Sequence, residues 1–181
     1  VYRAQHLRDD RDEPGRFCAP VRRSDGERGT VWRSFVMQVR HILHGKGRDV
    51  VAIGSNATLC DAAKLLTEMK IGALVVVDTS GRLIGIISER DLVQAMAKEG
   101  AAAFTDQVGN HMTPAPKTCV ETDTVETVME VMTRGRFRHV PVLDDQLSLC
   151  GMISSGEVVK TRIAETGSAA AALREYISAT A

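Results

Sequence analysis

The stretch "GIISERDLV", residues 85–93, decides how the chain is read. An apolar run ends in Ser88, Asp91 follows three residues later, and Leu92–Val93 open a helical pattern. A strand that feeds a hydroxyl and a carboxylate into a helix start has two explanations. Ser88 is a favoured N-cap residue and Asp91 an acid in the first turn, so the pair completes a cap. The alternative is a ligand. Free N–H groups at a helix start attract anions, a serine hydroxyl donates to a phosphate oxygen, and a carboxylate accepts from both hydroxyls of a ribose.

Sixty-six residues on, the chain repeats itself as "GMISSGEVV", residues 151–159. Residues 52–93 fall on 118–159 without a gap, and nine of the 42 positions are identical, among them Thr58/Thr124, Asp78/Asp144, Gly85/Gly151 and Ser88/Ser154. The hydrophobic pattern matches as well, so two copies of one unit are expected.

Each copy reads strand, helix, strand, strand, helix. In the first, Val50–Ile53 is a short strand. Thr58 with Asp61 forms a capping box, and Leu59, Ala62, Ala63, Leu66 and Met69 follow at helical spacing. "ALVVVD", "TSG" and "RLIGIIS" make a hairpin, and a helix begins near Glu89. In the second, Thr124 caps a helix carrying Val125, Val128, Met129 and Met132, and "HVPVLD" pairs with "SLCGMIS". Pro141 lacks an N–H and belongs at an edge or non-bonded position. A unit of this size buries little alone, so the two are expected to pack face to face. The fold class is α+β: two β-α-β-β-α repeats as a pseudo-two-fold pair, with an extra C-terminal helix.

The rest of the chain frames this pair. Residues 1–36 hold eight Arg, no Lys, four Asp and two Glu, with no apolar period, and read as a disordered extension. One hypothesis takes Met37 as the natural start and the tail as translated upstream sequence. A basic arm that binds a partner is the sharper alternative. Residues 37–100 form the first repeat with a leading helix, "MQVRHILHGKG"; 101–116 a linker; 117–163 the second repeat; and 164–181 a terminal helix with Leu173, Tyr176 and Ile177 on one side.

Composition limits the function classes. The 181 residues carry a formal net charge of zero, which argues against a generic nucleic-acid binder, and aromatics are only 4%, so the core is aliphatic. No apolar run reaches a membrane span, and the first residues lack a signal-peptide core. The four cysteines form no CxxC pair; with no disulfide framework, a cytoplasmic protein is expected. No nucleophile stands beside a base and no metal spacing occurs beyond His41 and His44, read as a solvated helix face. An enzyme is not expected.

The repeat, with G-h-h-S-x-x-D at the end of its hairpin, resembles the CBS domain, named after cystathionine β-synthase. The resemblance covers about residues 38–163 and rests on "GALVVVDTSGRLIGIISERD" and "GRFRHVPVLDDQLSLCGMISSGE". The chain is similar to small stand-alone bacterial members, which begin with a helix ending in K-G, here Lys46–Gly47. The resemblance implies a regulatory module that binds AMP, ADP, ATP, NAD(H) or S-adenosylmethionine in clefts between the repeats, with no catalytic cofactor. A purely structural dimerisation module with degenerate pockets is the alternative, and a DNA-linked regulator is a third.

On this reading Ser88 meets phosphate and Asp91 the ribose. Arg138 and His139, before the second copy's central strand, stand where the family contacts phosphate, and Arg offers a planar, always charged fork. Ile71, Gly72 and Ala73 are their neighbours and counterparts in the first copy, where the small residues permit close approach of a flat base. Ser154 and Glu157 repeat Ser88 and Asp91, with Glu in place of the usual Asp. Arg134 and Arg136 are assigned to the helix C-terminus. Leu92, Val93, Met96, Val158 and Val159 are expected to form an exposed homodimer face. A further protein partner is compatible with such a module; membrane and nucleic acid are not expected.

Overall fold

A computed structural model describes residues 2–4, 7–8 and 37–164. The first repeat contains β3 (Val50–Gly54), α2 (Leu59–Met69), β4 (Ala73–Val77), β5 (Leu83–Ser88) and α3 (Glu89–Glu99). The second contains β7 (Cys119–Val120), α5 (Val125–Gly135), β8 (His139–Leu143), β9 (Ser148–Ser154) and a helix, α6, over residues 155–164. In each, the first strand lies parallel to the second and the second antiparallel to the third. A register shift interrupts both hairpins, at Val76/Val77 and Val142/Leu143, positions 66 residues apart. The α+β pair read from the sequence is what the chain forms.

Local chemistry explains the elements. Thr58 Oγ1 accepts from the Asp61 N–H at 3.1 Å, and Thr124 Oγ1 from the Thr127 N–H at 3.1 Å, so α2 and α5 start on the same device. Both end in a left-handed residue, Lys70 (φ 53°) and Arg136 (φ 55°). The hairpin turns are held by Asp78 and Asp144. Each gives one carboxylate oxygen to two backbone N–H groups, of Ser80 and Arg82 and of Gln146 and Ser148. Met69, placed on the buried stripe of α2 by its spacing, is 49% exposed; Leu65 fills that stripe instead.

Burial follows the two-layer packing. Leu74, Val76 and Ile87 face α2 and α3, whereas Val75, Val77 and Leu83 join Leu143 and Leu149 between the two sheets. β4 is covered on both sides, which is why it reads as an unbroken apolar run. β7 registers only with Val142 and Leu143, so Pro141 lies beyond its end and the missing N–H leaves no gap in that pairing.

The segments outside the repeats cross over. α1 (Val39–Lys46), grouped by sequence with the first repeat, packs Val39, Ile42 and Leu43 into the core of the second. The expected linker is structured: a 3₁₀ turn (Gly100–Thr105), α4 (Val108–His111) and β6 (Thr113–Pro114). Val108 enters the core of the first repeat, and β6 pairs with β5. Five residues of the N-terminal extension also pair. β1 (Tyr2–Ala4) lies antiparallel to β3 and β2 (Leu7–Arg8) to β9. The expected terminal helix with Leu173, Tyr176 and Ile177 lies outside the described residues, as does the remainder of residues 1–36. Among the described residues no helix is long and apolar enough to cross a membrane.

Candidate functional site

At the junction that opened the reading, the cap is formed. The Ser88 N–H and hydroxyl both donate to Asp91 Oδ2, at 2.8 and 2.7 Å. Among the described residues Asp91 Oδ1 accepts no hydrogen bond. Capping and ligand binding are therefore compatible: one oxygen fixes the helix start and the other remains open to a donor from outside.

Asp91 borders a cavity of about 400 Å³ between the repeats. The first repeat supplies Ile86, Ser88, Arg90 and Asp91; the connecting segment supplies Thr113 and Lys117; the second repeat supplies residues 135–139. Its volume lies in the range of small-molecule sites. Its lining carries four cations, Arg90, Lys117, Arg136 and Arg138, and one carboxylate, Asp91. Such cations suit an anion, and the Asp91 carboxylate suits neutral donors.

The loop after α5 builds the cationic side. The left-handed turn at Arg136 ends the helix, and the Arg90 guanidinium crosses from the first repeat to donate to the Arg136 carbonyl at 2.9 Å. The Arg138 carbonyl accepts from the Ser155 N–H at 2.8 Å, which fixes the backbone beneath its side chain. Next to it, His139 is half-buried. Burial first, and then the Arg138 charge, pushes its imidazole below the ordinary histidine value, so the ring is neutral at pH 7.

His139 also meets the first repeat. A methyl group at Gly72 would begin 3.0 Å from its Cε1. The ring that lies against Gly72 is thus the protein's own imidazole. Ala73 is fully buried, and Ile71 packs on the core of the first repeat. Of the expected site residues the cavity gathers Ser88, Asp91, Arg138 and His139; Ile71, Gly72, Ala73, Ser154 and Glu157 are not among its lining.

In the second copy the junction is rebuilt with one methylene more. The Ser154 N–H and hydroxyl donate to Glu157 Oε2 at 2.7 and 2.9 Å. Glu157 Oε1 pairs with the Lys46 ammonium at 2.8 Å, and Lys46 also donates to the Met152 carbonyl. Burial pushes the Glu157 carboxyl up, but the Lys46 and Ser154 bonds outweigh it and hold it below the ordinary value.

Sequence reasoning missed Arg90, Thr113, Lys117 and Arg136 as lining residues. Arg136 reads locally as a helix-end charge, and it is one. Nothing in the stretch "TPAPK" signals that the connection pairs with β5 and turns into the cleft. The adjacency of Arg90 to Asp91 was the one available sign.

The family model of the CBS domain matches residues 39–98 and 108–163. The chain belongs to the CBS-domain family. A CBS-domain containing protein from Agrobacterium tumefaciens is 43% identical, with a TM-score of 0.69 over 74% of this chain and 99% of that one. A CBS domain pair solved with 5′-methylthioadenosine and S-adenosyl-L-methionine is 27% identical (TM-score 0.64, 72% of this chain, 98% of that one). A CBS domain protein from Pyrobaculum aerophilum complexed with AMP is 25% identical (TM-score 0.60, 67% and 89%). The chain spans 60% and 66% of the lengths of the first two curated relatives it matches. The CBS repeats account for both halves of the cavity, since each contributes one wall.

Proposed function

We propose that this CBS pair is a regulatory, non-catalytic sensor that binds a phosphorylated adenosine nucleotide in the Asp91 cavity. The observation that carries the reading is the set of charges on one cavity: a single lining carboxylate, Asp91, with one oxygen unused, together with the lining cations Arg90, Lys117, Arg136 and Arg138. Asp91 accepts the ribose hydroxyls. Arg138, with Arg136, Arg90 and Lys117 near it, takes phosphate. Ile86 and Phe137 supply apolar surface for the base. The AMP and S-adenosylmethionine complexes of the similar structures support the adenosine part. The phosphate part comes from this chain's cations, which oppose the positive sulfonium of S-adenosylmethionine. AMP, ADP, ATP and NAD(H) all satisfy the layout.

The sensor works as a homodimer in this reading. Val93, Met96, Val159 and Ile163 are 64%, 43%, 50% and 67% exposed on α3 and α6, the two helices that follow the Ser-x-x-acid junctions. Leu92 and Val158, expected on the same face, are buried in the repeat cores and do not belong to it. Nucleotide at the start of α3 then acts on a helix whose far side forms the interface.

Thermal shift with a ligand panel tests the reading. AMP, ATP and NAD(H) are expected to raise the melting temperature, by an amount equivalent to about 2.7 kcal/mol at a hundredfold excess over Kd. S-adenosylmethionine is expected to act far more weakly. No shift with any phosphorylated nucleotide favours the structural module.

A further inference from the structure

The internal repeat allows the two junctions to be compared atom by atom. α1 stands to the second repeat as α4 stands to the first. The Val39 N–H donates to the Asp123 carbonyl at 2.9 Å and the Val108 N–H to the Ala57 carbonyl at 2.8 Å, and Asp123 and Ala57 are repeat-equivalent. Leu43 lies over Gly151 as Met112 lies over Gly85, again an equivalent pair. Three residues beyond these contacts stand Lys46, still in α1, and Ala115, just past β6. In the first half-site Ala115, with a single methyl group, is among the residues that line the cavity, as are Ile86 and Asp91. In the second half-site Lys46 spans from Glu157 Oε1 to the carbonyl of Met152, the equivalent of Ile86.

We infer that Lys46 is an internal occupant of the second half-site: its ammonium holds the carboxylate that the first half-site leaves open for a ribose. The two half-sites are thereby made unequal, and the chain takes one nucleotide. The side chains of Lys46 and Glu157 are each only 30% accessible, unlike the solvent-exposed Arg134–Glu130 pair at 81% and 63%. Displacing Lys46 strands a half-buried carboxylate and an ammonium, which a neutral sugar does not compensate. The longer Glu157 fits this role, because it reaches the lysine while still capping α6 through Ser154. Gly72 stands where the first half-site's wall has Arg138, so the second half-site also lacks the phosphate fork.

This inference rests on the nucleotide reading of the Asp91 cavity, and two measurements separate the two. Calorimetry of AMP into the parent is expected to give one nucleotide per chain. Lys46→Ala is expected to add a second, weaker equivalent, one that adenosine fills as well as AMP does because no arginine meets its phosphate. Acetylation of the parent chain, followed by peptide mass spectrometry, needs no variant: Lys46 is expected to react slowly, and saturating AMP is expected to leave its rate unchanged. Two nucleotides on the parent, no second equivalent in Lys46→Ala, or faster Lys46 acetylation under AMP overturns the inference while leaving the Asp91 site intact. A parent that binds no AMP overturns the site reading instead, and the Lys46 inference with it.

Discussion

Ser88 gives its backbone N–H and its hydroxyl to a single oxygen of Asp91, at 2.8 and 2.7 Å. The same contact starts α3 and orients the carboxylate at the cavity edge. Stability and binding therefore separate by residue. Ser88→Ala is expected to lose about 0.5–2 kcal/mol of stability, as for a lost N-cap. It retains most of its AMP affinity, because in this reading the phosphate is taken by Arg138 and the cations near it, not by the Ser88 hydroxyl. Chemical denaturation and calorimetry on one sample check both halves.

Arg138 is expected to discriminate by phosphate. Arg138→Ala weakens AMP while leaving adenosine nearly unchanged, and Arg136→Ala does the same to a smaller degree. Bonds to a charged group contribute about 1.5–3 kcal/mol each, so a loss on the order of tenfold to a hundredfold in AMP affinity is expected. Equal weakening of AMP and adenosine would make Arg138 a structural residue.

His139 predicts a pH dependence. Its folded-state pKa lies below the ordinary 6.5, because burial and Arg138 disfavour the imidazolium. The unfolded chain then binds more protons in that window, so stability rises with pH there. The contribution is fully present above about pH 6.5 and is lost as pH falls from there through the folded value. Lys46 opposes the charged ring as Arg138 does, while Glu157 and Glu89 favour it. Melting curves between pH 8 and pH 5.5 should fall more steeply for the parent than for His139→Gln. Parallel curves would mean the ring is not held neutral by its surroundings.

Val93 is 64% exposed, so Val93→Glu removes no core packing. If α3 and α6 form the proposed homodimer face, the parent runs as a dimer in light scattering and Val93→Glu as a monomer, with a melting temperature that becomes independent of concentration. A monomeric parent would contradict the dimer, and a dimeric variant would contradict this face as its interface.

How far the sequence reveals this protein depends on the range of the interaction. The repeat units were legible because caps and hairpins are local: Thr58, Thr124, Asp78 and Asp144 each act within four residues. The Ser88–Asp91 pair was legible for the same reason. Exposure on α3 was legible for Val93 and Met96 and wrong for Leu92, since adjacent helical residues point to different sides. What the sequence hid is what the chain joins across 27 residues or more. The crossing of α1 to the second repeat, the pairing of β6 with β5, and the meetings of Arg90 with Arg136 and Lys46 with Glu157 have no periodic signature.

The most direct measurement is calorimetric titration of AMP into the parent and into Asp91→Ala, with adenosine as the second ligand. Asp91 touches the ribose in this account, so the variant loses affinity for both ligands, by about 2–3 kcal/mol or roughly 30- to 150-fold. A parent that binds AMP while Asp91→Ala binds it equally well would contradict the ribose assignment, and with it the proposed nucleotide pose.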